Sequence, residues 1–363
     1  MSDKFFDNVA NLVEQARKHV GRTADLTMCV TYFEIGRMIV EEEQGGEARA
    51  KYGHRLLVEL SAFLKERFGK GFSETTLKYS RQFYKTYLPS IRQTISDELG
   101  IRKSQTLFDE SFPFTLSWSH YLVLMRIKNE DERRFYEIEA LNEQWTLEQL
   151  KRQYNSSLYE RLALSLEKDE VMRLAKKGQV IEKPRDILKN PLVLEFYGLE
   201  EIPAYSETDL ESAIISNLQR FLLELGKGFL FEARQKRFTF DENHFTVDLV
   251  TYNRLLKCYV VIDFKKGELK HQDLGQMLMY VHYFDRFVKT KDENPTVGIL
   301  LCGKKDDAIV ELTLPEGENI YASEYSLYLP DKSLLQSKLA EWIEEFEYTN
   351  ELREASGGGE SDR

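Results

Sequence analysis

Asp263 and Lys265 stand two residues apart at the end of the apolar run VVIDFKKG, residues 260–267. Asp248 lies inside the preceding run HFTVDLVTY, residues 244–252. A strand alternates its side chains, so Asp263 and Lys265 share a face and Phe264 takes the other. The same rule groups Phe245, Val247 and Leu249 on one face, and Thr246, Asp248 and Val250 on the opposite one. If NRLL (253–256) closes an antiparallel hairpin, Asp248 and Asp263 become cross-strand or diagonal neighbours. Two carboxylates at that distance repel, so one takes up a proton or a cation binds between them. Mg²⁺ suits carboxylate and carbonyl oxygens, keeps several waters and bridges to phosphate. A lysine beside such a site can orient the attacking water or counter the charge that develops on phosphorus. The chemistry this spacing suits is metal-assisted hydrolysis of a phosphodiester. A solvated strand end carries the same Asp-x-Lys pair, so the surrounding elements decide between the two readings.

Those elements have a recognisable order. ETDLESAIISNLQRFLLELG predicts one amphipathic helix over about residues 207–225. GFLFEARQKRFTF, HFTVDLVTY and LKCYVVIDFK follow as three strands with short polar breaks. HQDLGQMLMYVHYFDRFV predicts a helix over about 271–288, TVGILLC a buried strand, NIYASEY a further strand and SLLQSKLAEWIEEFEY a closing helix. The core order is αβββαβ, in a C-terminal domain over residues 207–347. The Gly-rich tail 348–363 reads as disordered.

Residues 1–175 have a different rhythm and read as an all-helical domain. HRLLVELSAFLKERFG is amphipathic, with Leu56, Leu57, Leu60, Phe63 and Leu64 on one stripe. Gly69 and Gly71 bracket its end, and Ser73 is placed to cap ETTLKYSRQFYKTYL. Helix, glycine turn and helix suggest a helix-turn-helix-like unit, with Lys78, Arg81 and Lys85 facing phosphate from the second helix. Solvated helix faces would carry the same cations. Thr146 and Gln149 form a capping box. Pro184, Pro191 and Pro203 mark residues 176–206 as a linker or irregular connection.

The formal net charge is −11 and argues against generic binding to nucleic acid, though not against a local basic groove. Cys29, Cys258 and Cys302 are scattered, which fits a reducing cytoplasm and neither a zinc site nor a disulfide framework. No apolar run is long enough to span a membrane, and the charged N-terminus lacks a secretory signal. His244, His271 and His282 show no metal-ligand spacing and read as surface groups.

An acid on one strand, a next strand ending Asp263-Phe264-Lys265, and flanking helices in this order resemble the core of the PD-(D/E)XK nucleases. Val247-Asp248 stands where that family has Pro-Asp. Gln276-x-x-x-Tyr280 resembles the additional helix motif of the RecB-type branch. Across both halves, FGKGFSETTLKYSRQFY, VDLVTYNRLLKCYVVIDFKKG and GQMLMYVHYFD resemble the YhcG-like group, which joins a helical N-terminal domain to such a nuclease domain.

The resemblance implies an α+β two-domain protein whose C-terminal domain has the restriction-endonuclease-like α/β fold. It implies a nuclease using Mg²⁺ or Mn²⁺ on nucleic acid, most simply DNA. Asp248 and Asp263 would be metal ligands with the Phe264 carbonyl, and Glu211 would complete the shell. Lys265 would position or activate water, and Gln276 and Tyr280 would support the site. Arg234, Gln235, Lys236 and Arg237 lie along the first strand, where Arg234 and Arg237 would meet phosphate. A homodimer, and protein partners of the N-terminal domain, are compatible with it. The alternative is a nucleic-acid-binding or assembly protein that keeps the fold without the activity.

Overall fold

The computed structural model describes residues 3–45, 49–98, 114–165, 168–194, 206–240, 242–315, 317–337 and 339–340. The chain forms two compact units, Met1–Lys151 and Arg152–Arg363.

The first unit is helical: α1 (Asp3–Gly45), α2 (Arg49–Phe68), α3 (Glu74–Glu98), α4 (Trp118–Leu124) and α5 (Glu130–Asn142), with α6 (Leu147–Asn155) carrying the division. Its core is aromatic. Phe83 of α3 lies 4.7 Å from Phe114 and 5.2 Å from Trp118, ring centre to ring centre. α3 runs close along α1 because Gly36 leaves room there; a Cβ at Gly36 would stand 2.0 Å from the Ser80 carbonyl oxygen. Ser73 caps α3 as expected, its Oγ accepting the Thr76 N–H at 3.1 Å. The capping box at α6 also forms, with Gln149 N–H donating to Thr146 Oγ1 and Thr146 N–H to Gln149 Oε1.

The second unit adds α7 (Leu158–Ala163) and α8 (Lys168–Lys177), then a six-stranded mixed sheet. Its strands are β1 (Leu192–Val193), β2 (Phe229–Phe240), β3 (Asn243–Asn253), β4 (Cys258–Glu268), β5 (Val297–Lys304) and β6 (Ile320–Ser326), in the spatial order β1-β6-β5-β4-β3-β2. β2, β3 and β4 pair antiparallel; β4, β5, β6 and β1 pair parallel. One apolar cluster joins Phe264, Ile262 and Val260 to α9 (Glu207–Ser216) and α10 (Leu218–Leu225) through Leu210, Ile214 and Phe221. The other joins Val261, Leu300 and Val247 to α11 (His271–Tyr283) through Leu274, Met277 and Tyr280. α12 (Asp307–Thr313) follows β5.

Three expectations are corrected. The single helix over 207–225 is two, because the chain breaks helical geometry at Asn217, whose side-chain amide donates to the Ala213 carbonyl at 3.2 Å. The helix over 271–288 is α-helical only to Tyr283, after which Phe284–Val288 widens into a π-turn. The described part of the connection 176–206 is structured: Asp186 accepts the N–H groups of Glu182 and Lys183 at 2.8 Å each, and Leu192–Val193 pairs with β6. The compact units meet in sequence at Lys151/Arg152, and within the second Arg152 and Arg161 bind the buried Glu224. The closing helix is seen over 332–337 and 339–340, and the tail 348–363 lies outside the described residues.

Candidate active site

The site forms where the sheet opens. β3 and β4 pair from Asn253↔Cys258 to Leu249↔Ile262. The next pair in register is Asp248 with Asp263, and there the ladder stops. β4 continues beside β5, with Asp263 opposite Leu300 and Lys265 opposite Cys302. One flank of β4 is thus held while β3 peels away. The freed backbone is not left unsatisfied: Asp248 Oδ2 accepts the Phe264 N–H at 3.0 Å. That hydrogen bond fixes one carboxylate against the strand that carries the other.

The simple alternation expected for β3 fails here. Val247 and Val250, three residues apart, pack into the α11 cluster, while Leu249 packs into the α9–α10 cluster. Ala233 and Phe238 of β2 both pack toward α11, although five residues separate them. Both strands therefore change face at the same level. Gln235 lies at that level with φ +45°, between the pairs Arg234↔Leu249 and Lys236↔Val247. A left-handed residue inside a strand reverses its pleat. The amide of the exposed Gln235 donates to Glu211 Oε1 at 2.7 Å and to Asp248 Oδ1 at 3.1 Å. In the sequence Gln235 is only one of four polar residues along the first strand, beside Arg234, Lys236 and Arg237. No local signal marks its backbone geometry, and only the pairing with Asp248 reveals its role.

Asp263 is 3% exposed. Burial first, then the charge of Asp248, pushes its carboxyl up to about 7. Asp248 is raised as well, mainly by burial, with the Phe264 N–H working in the other direction. Lys265 Nζ lies 2.8 Å from Asp263 Oδ2. Burial disfavours its charge, but the hydrogen bond and charge of Asp263, joined by Glu207 and Asp273, outweigh that and hold the amine above its ordinary value. The pair of acids is short of positive charge despite the lysine. A divalent cation would relieve this, and the donors in reach are hard oxygens that suit Mg²⁺ or Mn²⁺. Among the described residues no group of three or more His, Cys, Asp or Glu side chains is placed to hold a metal ion together. Glu211 joins the pair through the Gln235 amide instead.

Gln276 and Tyr280 support the opening from α11. The Gln276 amide donates to the Tyr280 hydroxyl at 2.5 Å, and that hydroxyl donates to the Thr246 carbonyl at 2.8 Å. Tyr280 is buried, and burial followed by the Asp263 charge pushes its phenol up to about 12. It stays a neutral donor and ties β3 down two residues before Asp248. The histidines stay outside this cluster: His244 meets Thr239, His282 stands 3.5 Å from Glu318, and His271 is exposed at the start of α11.

The cations proposed for nucleic acid are differently disposed. Arg234, Lys236 and Arg237 are all exposed on edge strand β2. On α3, Lys85 is exposed and Lys78 lies 3.9 Å from Glu74. Arg81 is committed to Glu43 at 2.6 Å, so the expected stripe is interrupted at its centre.

Comparison with known proteins fits this geometry. Residues 185–340 match the family described as the YhcG PDDEXK nuclease domain, and residues 8–161 match the DUF1016 N-terminal domain. The chain is 40% identical over 349 residues to a protein of Escherichia coli (strain K12) named "Putative nuclease YhcG", covering 92% of each chain. Among solved structures, a repair endonuclease from Pyrococcus abyssi aligns at 21% identity over 35% of this chain and 50% of that one, with a TM-score of 0.23. A complex of EndoMS with double-stranded DNA aligns at 18% identity over 35% and 46%, with a TM-score of 0.25. The end-to-end match to the bacterial relative and the paired acids at the sheet opening lead to one conclusion: this chain belongs to the YhcG family, with a PD-(D/E)XK nuclease domain behind a helical DUF1016 N-terminal domain.

Proposed function

We propose that the protein is a metal-dependent nuclease that hydrolyses phosphodiester bonds of DNA by water attack. The observation that carries this is the meeting of Asp248, Asp263 and Lys265 where the β3–β4 ladder opens. Asp248, Asp263 and the Phe264 carbonyl would hold Mg²⁺ or Mn²⁺, with Glu211 as a further carboxylate. A bound divalent cation lowers the pKa of water and neutralises charge on the phosphoryl oxygens. Lys265 keeps a proton and a positive charge beside the scissile phosphate, where it orients water and offsets the charge that develops in the transition state. Gln235 and Tyr280 hold the acids and their strand in register. Arg234 and Arg237 on the edge strand meet the phosphate backbone, while Lys78, Arg81 and Lys85 give the helical unit a weaker claim on it. That unit is also the surface for protein partners, and a homodimer would serve cleavage of both strands of a duplex. The three free, buried cysteines and the likeness to a bacterial nuclease support a cytoplasmic place of action.

The test is nicking of supercoiled plasmid with Mg²⁺ or Mn²⁺. The wild type is expected to cleave, Asp263→Ala to lose activity, and Lys265→Ala to lose about a hundredfold or more, as removal of a charge-stabilising group does. Equal cleavage by all three proteins would refute the assignment.

A further inference from the structure

The β2–β3 pairing continues to Phe240↔Asn243, well past Leu249↔Ile262 where β3 leaves β4. The ends of β2 and β3 therefore project beyond the sheet as a two-stranded ribbon. Beside it lies a cavity of ≈ 310 Å³ lined by Phe238, Phe240, Phe245, Tyr283, Arg286 and Phe287 among others. Phe238 stacks on Tyr283 at 3.9 Å, and the Phe240 and Phe287 rings lie 5.9 Å apart, tilted by 39°. Phe240 is 55% exposed and Phe287 60%. Two large rings held in water beside an aromatic cavity call for a flat apolar partner. The charge around them says which kind. The run ARQKRFTF, residues 233–240, carries three exposed cations on a chain of net charge −11, although Glu232 precedes it on the same strand and Asp241 and Glu242 follow it in sequence. A polyanion with flat apolar groups is a nucleic acid whose bases are unpaired. The cavity is linked to the acids through two aromatic side chains. Phe238 packs edge-on against Tyr280 at 5.7 Å, and the Tyr280 hydroxyl holds the carbonyl of Thr246, two residues from Asp248.

We propose that this cavity receives an unpaired base of the DNA strand whose backbone crosses the Asp248–Asp263 site, so that the enzyme acts where a duplex is opened or ends in a single strand. The proposal rests on the nuclease reading and deepens it. Phe240 and Phe287 offer exposed rings for stacking, Arg286 adds a planar cation to the lining, and Arg234, Lys236 and Arg237 follow the backbone along the ribbon. Fully paired DNA has no base to offer the cavity and would be held by the cations alone.

The experiment is fluorescence anisotropy of the full chain with labelled single-stranded DNA, its blunt duplex and RNA of the same sequence, in EDTA so that nothing is cleaved. The wild type is expected to prefer single-stranded DNA over the blunt duplex. Phe240→Ala and Phe287→Ala should each weaken the single strand about tenfold, as loss of one stacked base does, and leave the duplex unchanged. Phe287→Trp should restore binding and quench 2-aminopurine placed in the strand. Both rings are exposed, so their truncation does not threaten the fold, and unchanged thermal melting verifies this. Wild-type binding by both alanine variants, or no preference for the single strand, would overturn the proposal. So would RNA held more tightly through the same rings, or a wild-type dimer in sedimentation that the variants dissociate. Binding in EDTA needs no catalysis, so a failed plasmid assay would remove the nuclease reading without deciding the stacking result.

Discussion

At the scale of single residues, the site is a balance of charge held by hydrogen bonds. Asp248 and Asp263 face each other across an opened ladder, and Lys265 answers only one of them. Gln235 supplies the remaining order. It is neutral, so it adds no charge, but its two amide hydrogens span Glu211 and Asp248. Groups that orient metal ligands typically contribute a factor of ten to a hundred in metal affinity or activity. We expect Gln235→Ala to raise the Mg²⁺ concentration for half-maximal cleavage about tenfold, with the fold intact. Cleavage rates across a Mg²⁺ titration check this, and an unchanged titration curve would mean that Gln235 is not a positioning residue. Asp263 and Lys265 were legible in the sequence because alternation puts residues two apart on one face. Gln235 was not, because its left-handed backbone depends on the strand it pairs with.

At the scale of elements, α11 and the β2–β3 ribbon aim the acids. α11 reads in the sequence as helical and amphipathic, and its Gln276-x-x-x-Tyr280 spacing places both residues on one face. What that face touches is a tertiary matter: the Tyr280 hydroxyl reaches the Thr246 carbonyl, 34 residues away. Tyr280→Phe removes this tie together with the hydrogen bond that the hydroxyl accepts from the Gln276 amide. The expected result is a loss of about 1 kcal/mol in stability and a several-fold lower kcat with KM unchanged. Denaturant titration and steady-state cleavage measure the two; a KM effect alone would point to substrate contact in place of positioning. The ribbon carries a similar lesson. Both strands were expected, but the joint change of face at Gln235 and Asp248 breaks the period-two pattern from which they were read.

At the scale of the whole molecule, the nuclease unit is pinned by a buried charge. Glu224 is fully buried, accepts from Arg161 at 2.5 Å and from the Val193 N–H at 3.0 Å, and meets Arg152 at 3.1 Å. Burial opposes its charge, yet Arg161, Lys189 and Arg152 outweigh burial and bring its carboxyl down to about 2. A carboxylate with a lowered folded-state pKa contributes stability that is present above its ordinary value near 4.5 and is lost as pH falls toward 2. Glu224→Gln should cost about 3–5 kcal/mol, since it leaves Arg161 buried with no countercharge. It should also flatten the acid limb of stability below pH 4.5. Denaturation midpoints at several pH values check both effects, and a parallel acid limb in the variant would assign that limb to other carboxylates. The sequence by itself determined the helical first part, the αβββαβ order of the second and the sharing of one strand face by Asp263 and Lys265, because periodicity and residue type are local properties. Only the tertiary structure decided where the ladder opens, which amide joins the acids, where the units divide and which ion cluster lies inside. Those depend on burial and hydrogen bonds between segments that are distant in the chain, and local pattern carries no record of them.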